Sequence, residues 1–163
     1  MTQPANADKT LPELRKAPVI RRADPCDLDP IIDLDALTSG VRKPEYWRDM
    51  FERYLERKPQ ERFVLVAESA EKNPALAGFI LGEIRAWEFG SEPCGWVIWL
   101  SVDPQLRERR VGEGLFHALV AEFRKVGVRS MRTMVARQNH LHLAFFRGEG
   151  MRAGSYLQLE MEI

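Results

Sequence analysis

VDPQLRERRVGEGLFHALV, residues 102–120, joins an apolar run to an amphipathic helix through the turn Arg109, Arg110, Val111, Gly112, Glu113, Gly114. Without a Cβ, Gly112 and Gly114 let the backbone come close to another group, and the unpaired N–H groups of a helix start can converge on one anion. The helix dipole and the arginine charges act in the same direction. A glycine pair at a helix start also occurs where a helix packs tightly on a strand, so the turn alone leaves both readings open. The spacing lacks the third glycine of G-x-G-x-x-G and has no G-K-[ST], which argues against dinucleotide and nucleoside-triphosphate sites.

Residues 1–17 carry Pro, Asn, Thr, Lys and Ala without apolar periodicity and read as a disordered tail, leaving 18–163 as one domain. Residues 19–22 read as a first strand. Asp24 and Pro25 form a helix start, and a helix through Ile31, Ile32, Leu34 and Leu37 closes near Ser39 and Gly40. Pro44 opens a second helix, with Trp47, Met50, Phe51, Tyr54 and Leu55 at helical spacing before Lys58 and Pro59. Residues 62–68 and 77–87 read as strands of a hairpin whose turn is 71–74, and 95–102 as a central strand, apolar on both faces. Trp96 and Trp99 are expected on opposite faces of that strand. A helix over 111–126 buries Leu115, Phe116, Leu119, Val120 and Phe123 and stops at Gly127. A strand at 130–135 and a helix from His140 to about Glu149 follow. Residues 155–163 alternate Leu157, Leu159, Met161 and Ile163 with Gln158, Glu160 and Glu162, which predicts a final strand.

The R-x-x-G-x-G turn after a strand, the Asp103-Pro104 pair at the strand end and the element order together resemble the GNAT superfamily of acyl-CoA-dependent N-acetyltransferases. A second landmark agrees with this: Asn139 after a strand, then Phe145 and Phe146 on a helix, then Gly150 and Met151. The resemblance covers about residues 18–163. It implies an α/β (α+β) GNAT fold, a central mixed, largely antiparallel sheet flanked by helices on both faces. It also implies acetyl-CoA as cosubstrate, with no metal. On the matching residues, the cofactor would meet Arg107, Arg109, Arg110, Val111, Gly112, Glu113 and Gly114 at its phosphates and Asn139 along the pantetheine arm. Backbone N–H groups near Leu100, Ser101 and Val102 would face the thioester, where the family splays this strand from its neighbour. Phe146 stands where many members place a tyrosine that protonates the leaving thiolate. Phe146 cannot donate a proton, but a thiol with a pKa near about 8.5 leaves without much help.

The implied reaction is direct transfer to a primary amine, on a small molecule or on a protein N-terminus or lysine. An alkylammonium with a pKa near about 10 must first lose a proton. Glu83, ahead of Glu88 and Glu92, is the candidate base, with an ordered water chain as the alternative. A catalytically weak acyl-CoA-binding regulatory domain is the second reading. Trp47 and Tyr54 read either as lining an acceptor pocket or as core. The short segment after Gly150 implies a closing strand that is stunted, or that is completed by a neighbouring subunit in a homodimer.

The 163 residues carry 24 Lys+Arg and 24 Asp+Glu, and this zero net charge argues against bulk nucleic-acid binding. No apolar run approaches a membrane span or a signal-peptide core, which gives the expectation of a cytoplasmic protein with no membrane partner. Cys26 and Cys94 lie in unrelated elements and read as packing thiols. His140 and His142 are two apart on a helix, so they diverge and read as surface residues.

Overall fold

The computed structural model describes residues 18–56, 60–68 and 76–163. The expected tail at 1–17, the helix stop at Lys58 and Pro59 and the hairpin turn at 71–74 lie outside the described residues. The elements are β1 (Ile20–Arg22), α1 (Leu28–Ser39), α2 (Pro44–Phe51), β2 (Arg62–Glu68), β3 (Leu76–Arg85), β4 (Cys94–Val102), α3 (Val111–Lys125), β5 (Met131–Thr133) and α4 (His140–Gly148). They form one sheet in the order β1-β2-β3-β4-β5, antiparallel except for the parallel β4/β5 pair.

Asp24 does open a helical segment, but the first turn, Pro25–Asp27, is 3-10. There the Asp24 carboxylate accepts from the Cys26 N–H and the Asp27 carboxylate accepts from the Asp24 N–H, each at 2.9 Å. Gly40, at φ 76°, ends α1 in the left-handed conformation that glycine adopts without steric cost. The buried stripe of α1 includes Ile31, Ile32, Leu34 and Asp35, whereas Leu37, expected inside, is 60% exposed. α2 runs on into a π-helical segment, Glu52–Glu56.

The sheet separates two cores. On one face α1 and α2 bury Ile31, Trp47, Phe51 and Tyr54 against Val64, Val66, Phe79 and Leu81. On the other, α3 packs Leu115, Leu119 and Phe123 on Phe63, Leu65, Ile80 and Val97, and Phe146 of α4 closes the end. Each fully buried large apolar side chain contributes roughly 1.5–3 kcal/mol by leaving water, so these layers fix how the helices sit on the sheet. Glycines in the strands bring α3 close. A Cβ at Gly82 would lie 2.7 Å from Leu119, and one at Gly95 would lie 2.5 Å from the Phe123 ring.

Three expectations need correction. Residues 155–163 form no strand, and Leu157, Leu159, Met161 and Ile163 are 75%, 86%, 80% and 112% exposed. Alternation defines one apolar face, but a strand also needs an edge to pair with, and this segment has no such partner among the described residues. Trp96 and Trp99 do not point to opposite faces. Leu81 pairs with Trp99 and Gly82 with Val97, so Ile98 is an extra residue, a bulge that resets the alternation beyond it. Ile98 and Trp99 both pack on the α1/α2 face, while Val97 and Leu100 pack on the other. Finally, Cys94 is buried as expected, but Cys26 is exposed.

Candidate functional site

β4 and β5 pair only through Gly95–Met131, Trp96–Arg132 and Val97–Thr133, yet β4 continues to Val102. The last rung is tied by the Thr133 hydroxyl, which donates to the Val97 carbonyl at 3.0 Å. There the ladder stops, because β5 ends at Thr133 while β4 runs on past the bulge at Ile98. A cleft of about 670 Å³ opens there, lined by Trp99, Leu100, Ser101 and Val102 of β4, by Gly112 and Glu113 of α3, and by Asn139, His142, Phe145 and Phe146 around α4.

The start of α3 forms one end of this cleft. Arg110 caps it at φ 57°, an uncommon backbone state for a residue with a Cβ, and its guanidinium pairs with Glu113 through Nε–Oε2 at 2.6 Å. This pairing, ahead of their Coulomb attraction, raises the Arg110 pKa and holds the Glu113 carboxyl below the usual carboxylate range. The Gly114 N–H bonds back to Arg110 O at 3.0 Å and closes the first turn of α3, and the N–H groups that open such a turn have no carbonyl partner within the helix.

The two glycines of the turn differ. A Cβ on Gly112 would project between Phe145, 3.4 Å away, and Val102, 3.6 Å away, both cleft residues. A Cβ on Gly114 would instead meet Ile20 Cδ1 of β1 at 2.9 Å, and Gly114 does not line the cleft. Its smallness serves the packing of α3 on β1. Arg107 and Arg109 lie on the 3-10 turn Pro104–Arg109 that leads into α3, and their side chains fall outside the described structure. Val111 is buried in the α3 core at 2% exposure, so only its main chain can serve a ligand.

Asn139 caps α4, its Oδ1 accepting from the His142 N–H at 3.1 Å, and its Nδ2 lies 3.2 Å from His142 Nδ1. His142, read from sequence as a surface residue, lines the cleft; the helix start at Asn139 turns it inward. Phe146 is 6% exposed and packs on Phe116 and Phe145. Glu83 lies elsewhere. Its Oε2 accepts from the Tyr54 hydroxyl at 2.8 Å and its Oε1 from Arg85 Nε at 2.6 Å, and it is not among the residues that line the cleft. Burial first, and then this bond to Glu83, push the Tyr54 hydroxyl well above the usual tyrosine range. Trp47 and Tyr54 are both buried in the α1/α2 core.

A polar group that sequence reading passes over lies on the α1 side. Asp35 is 0% exposed, and its Oδ2 accepts from Trp47 Nε1 at 2.8 Å and from Lys43 Nζ at 2.9 Å. The Lys43 ammonium sits 4.8 Å from the centre of the Trp99 ring. The Thr38 and Ser101 hydroxyls are 2.8 Å apart and complete this wall. Its only trace in the sequence is a carboxylate four residues after Ile31, in the apolar stripe of α1.

The model of the acetyltransferase (GNAT) family matches residues 28–151. A search of curated protein sequences finds no match. Among solved structures, AAC(6')-Iy in complex with the bisubstrate analogue CoA-S-monomethyl-acetylneamine aligns with TM-score 0.77 at 17% identity, covering 91% of this chain and 99% of that one. Glucosamine-6-phosphate N-acetyltransferase from Arabidopsis thaliana aligns with TM-score 0.69 at 18% identity, over 90% and 99% of the two chains. A transcriptional regulator from Bacillus halodurans C-125 aligns with TM-score 0.74 at 16% identity, over 90% and 99%. The fold is theirs: a mixed sheet flanked by helices on both faces.

Proposed function

This chain belongs to the GNAT acetyltransferase family, and from that premise we propose that it is an N-acetyltransferase using acetyl-CoA and a primary amine. The observation that carries this reading is the end of the β4/β5 ladder at Val97, with a cleft beyond it that runs along β4 to the start of α3. The residues present suit the cosubstrate. Unpaired N–H groups at the start of α3, with the Arg110 guanidinium, would hold phosphate, and Gly112 leaves room for it to approach. Asn139 would contact the pantetheine arm, and the main chain of Leu100, Ser101 and Val102 would face the thioester. When bound, acetyl-CoA supplies an acyl group already activated as a thioester.

The protein's own part is to hold, orient and exclude water. Main-chain donors on the freed edge of β4 are positioned by the sheet before any ligand arrives, so they need no reorganisation to meet a carbonyl oxygen. The amine must lose a proton before it attacks. Both oxygens of Glu83 are engaged by Tyr54 and Arg85, so this reading gives the proton to water in the cleft. Phe146 offers no proton to the departing sulfur, which leaves as thiolate.

Phe146 also favours a second reading, a domain that binds acyl-CoA and signals its presence without turnover. Isothermal titration with acetyl-CoA, run beside a thiol-release assay over an amine panel, separates the two. Binding with thiol release that depends on an amine supports the enzyme. Binding without release across the panel supports the second reading, and no binding at all removes both.

A further inference from the structure

Two parts of this chain each lack what the other offers. Residues 155–163 alternate apolar and polar side chains, yet they join no strand among the described residues. Leu157, Leu159, Met161 and Ile163 are each at least 75% exposed, and as a strand they would form one apolar face. Large apolar side chains clustered in water mark a contact surface. At the same time β5 is the last strand of the sheet and pairs with β4 alone among the described residues. The α3 core is not closed at this edge, because Val128, Met131, Val135 and Met151 pack on it but stay only partly buried. An open edge of this kind takes an added strand through main-chain hydrogen bonds. Side-chain chemistry fixes which way round that strand sits. Met131 faces the α3 core, so Arg132 faces the opposite side of the sheet, where its guanidinium lies 4.3 Å from the centre of the Tyr156 ring. A strand that lays Leu157, Leu159, Met161 and Ile163 over the α3 core puts Glu160 and Glu162 on the Arg132 side. Arg129 and Arg137 flank β5 and are exposed, so apolar fit and charge ask for the same orientation.

We propose that residues 155–163 of one copy add to the β5 edge of a second copy, and the reverse, in a two-fold dimer whose two sheets each gain a strand. The occupant is a second copy because one chain carries both halves of a complementary pair and leaves them unjoined. Tyr156 reaches Arg132 within the chain, but the apolar side chains that follow it stay in water. A two-fold axis joins both pairs at once and leaves neither half over. The exchange also bears on the cleft. Thr133 and Met134 line it, so the partner's strand braces β5 from the side away from β4. The dimer holds whether or not the cleft turns over an amine.

The test uses the full chain. Light scattering behind gel filtration is expected to give twice the 18.8 kDa mass of one chain. Hydrogen exchange on the same sample is expected to show slow amides both in 131–133 and in 155–163. Leu159→Glu combined with Met161→Glu changes side chains that are 86% and 80% exposed in one chain, so the single-chain fold does not depend on them. This variant is expected to have the mass of one chain and to speed exchange in both segments by about tenfold or more. Gln158→Glu puts a charge on the opposite face of the strand and is expected to leave the dimer intact. A monomeric parent overturns the proposal, and slow amides in 155–163 of such a monomer would show the segment folded back on its own β5. A parent dimer in which either segment exchanges freely overturns it as well. So does a dimer that survives the double substitution, or one that Gln158→Glu dissolves. The mass and exchange of the parent need no variant, so they decide the matter even if the double substitution does not fold.

Discussion

Alanine at Gly112 should stabilise the fold and cripple the cofactor end of the cleft, and the same change at Gly114 should do neither. At Gly112 a new Cβ meets only ordinary contacts, Phe145 at 3.4 and 3.7 Å and Val102 at 3.6 Å, so nothing has to move. Alanine is worth up to about 1 kcal/mol over glycine within a helix, which for a domain of this size raises Tm by about 2–4 °C. The same methyl group occupies the approach to the free N–H groups of α3. Loss of one hydrogen bond to a charged group costs about 1.5–3 kcal/mol, so the Kd for acetyl-CoA should rise about 10- to 150-fold. At Gly114 the new Cβ presses on Ile20 Cδ1 at 2.9 Å, the free end of a flexible side chain. The helix gain and that displacement offset each other, so Tm and Kd should both stay near the parent values. Differential scanning fluorimetry and isothermal titration on the three proteins suffice. A folded Gly112→Ala that binds acetyl-CoA as tightly as the parent would refute the assignment of this turn.

Asn139→Ala should cost about 1 kcal/mol by removing the α4 cap and should also raise the KM for acetyl-CoA. Asn139→Ser should restore the cap but not the KM, and recovery of both would leave Asn139 a structural role alone. Glu83→Gln should change kcat by less than about tenfold, since Tyr54 and Arg85 already engage both oxygens; a fall of a hundredfold or more would make Glu83 the base after all. Phe146→Tyr places a hydroxyl beside the cleft with little change in volume and should shift kcat by less than about tenfold between pH 6 and 9. A gain of several hundredfold would show that thiolate protonation limits the parent. Gly95→Ala drives a methyl group to 2.5 Å from the Phe123 ring and should destabilise the protein by about 1–3 kcal/mol. Phe123→Leu in the same chain should recover part of that loss, and no recovery would mean the strain lies elsewhere.

The order of elements was legible because it rests on local signals: Asp24 and Pro25 at a helix start, Gly40 and Gly127 at helix ends, and the stripe of Leu115, Leu119 and Phe123. The glycine turn reads as a cradle from its spacing, but the sequence gives its two glycines the same role. Their different neighbours, Ile20 across the strand–helix contact for Gly114 and the cleft residues Phe145 and Val102 for Gly112, are set by tertiary packing. The bulge at Ile98 left no mark, because any residue can occupy it, and it reversed the expected facing of Trp96 and Trp99. Residues 155–163 carried a strand pattern, but an alternating row says which side is apolar and nothing about what lies alongside. Asp35 was missed because a single carboxylate in a helix is ordinarily solvated; its partners, Trp47 and Lys43, come from the next helix and the loop before it.

The bulge that turns Trp99 toward Trp47 also equips the protein with an optical gauge. The two indoles are 5.4 Å apart and nearly perpendicular, one sealed in the core and the other on the cleft wall beneath the Lys43 ammonium. Excitation absorbed by the inner ring can pass to the outer one, whose emission depends on the water and charge beside it. A ligand that enters the cleft displaces the water beside Trp99, so its binding should be readable in the intrinsic fluorescence without labels or coupled enzymes.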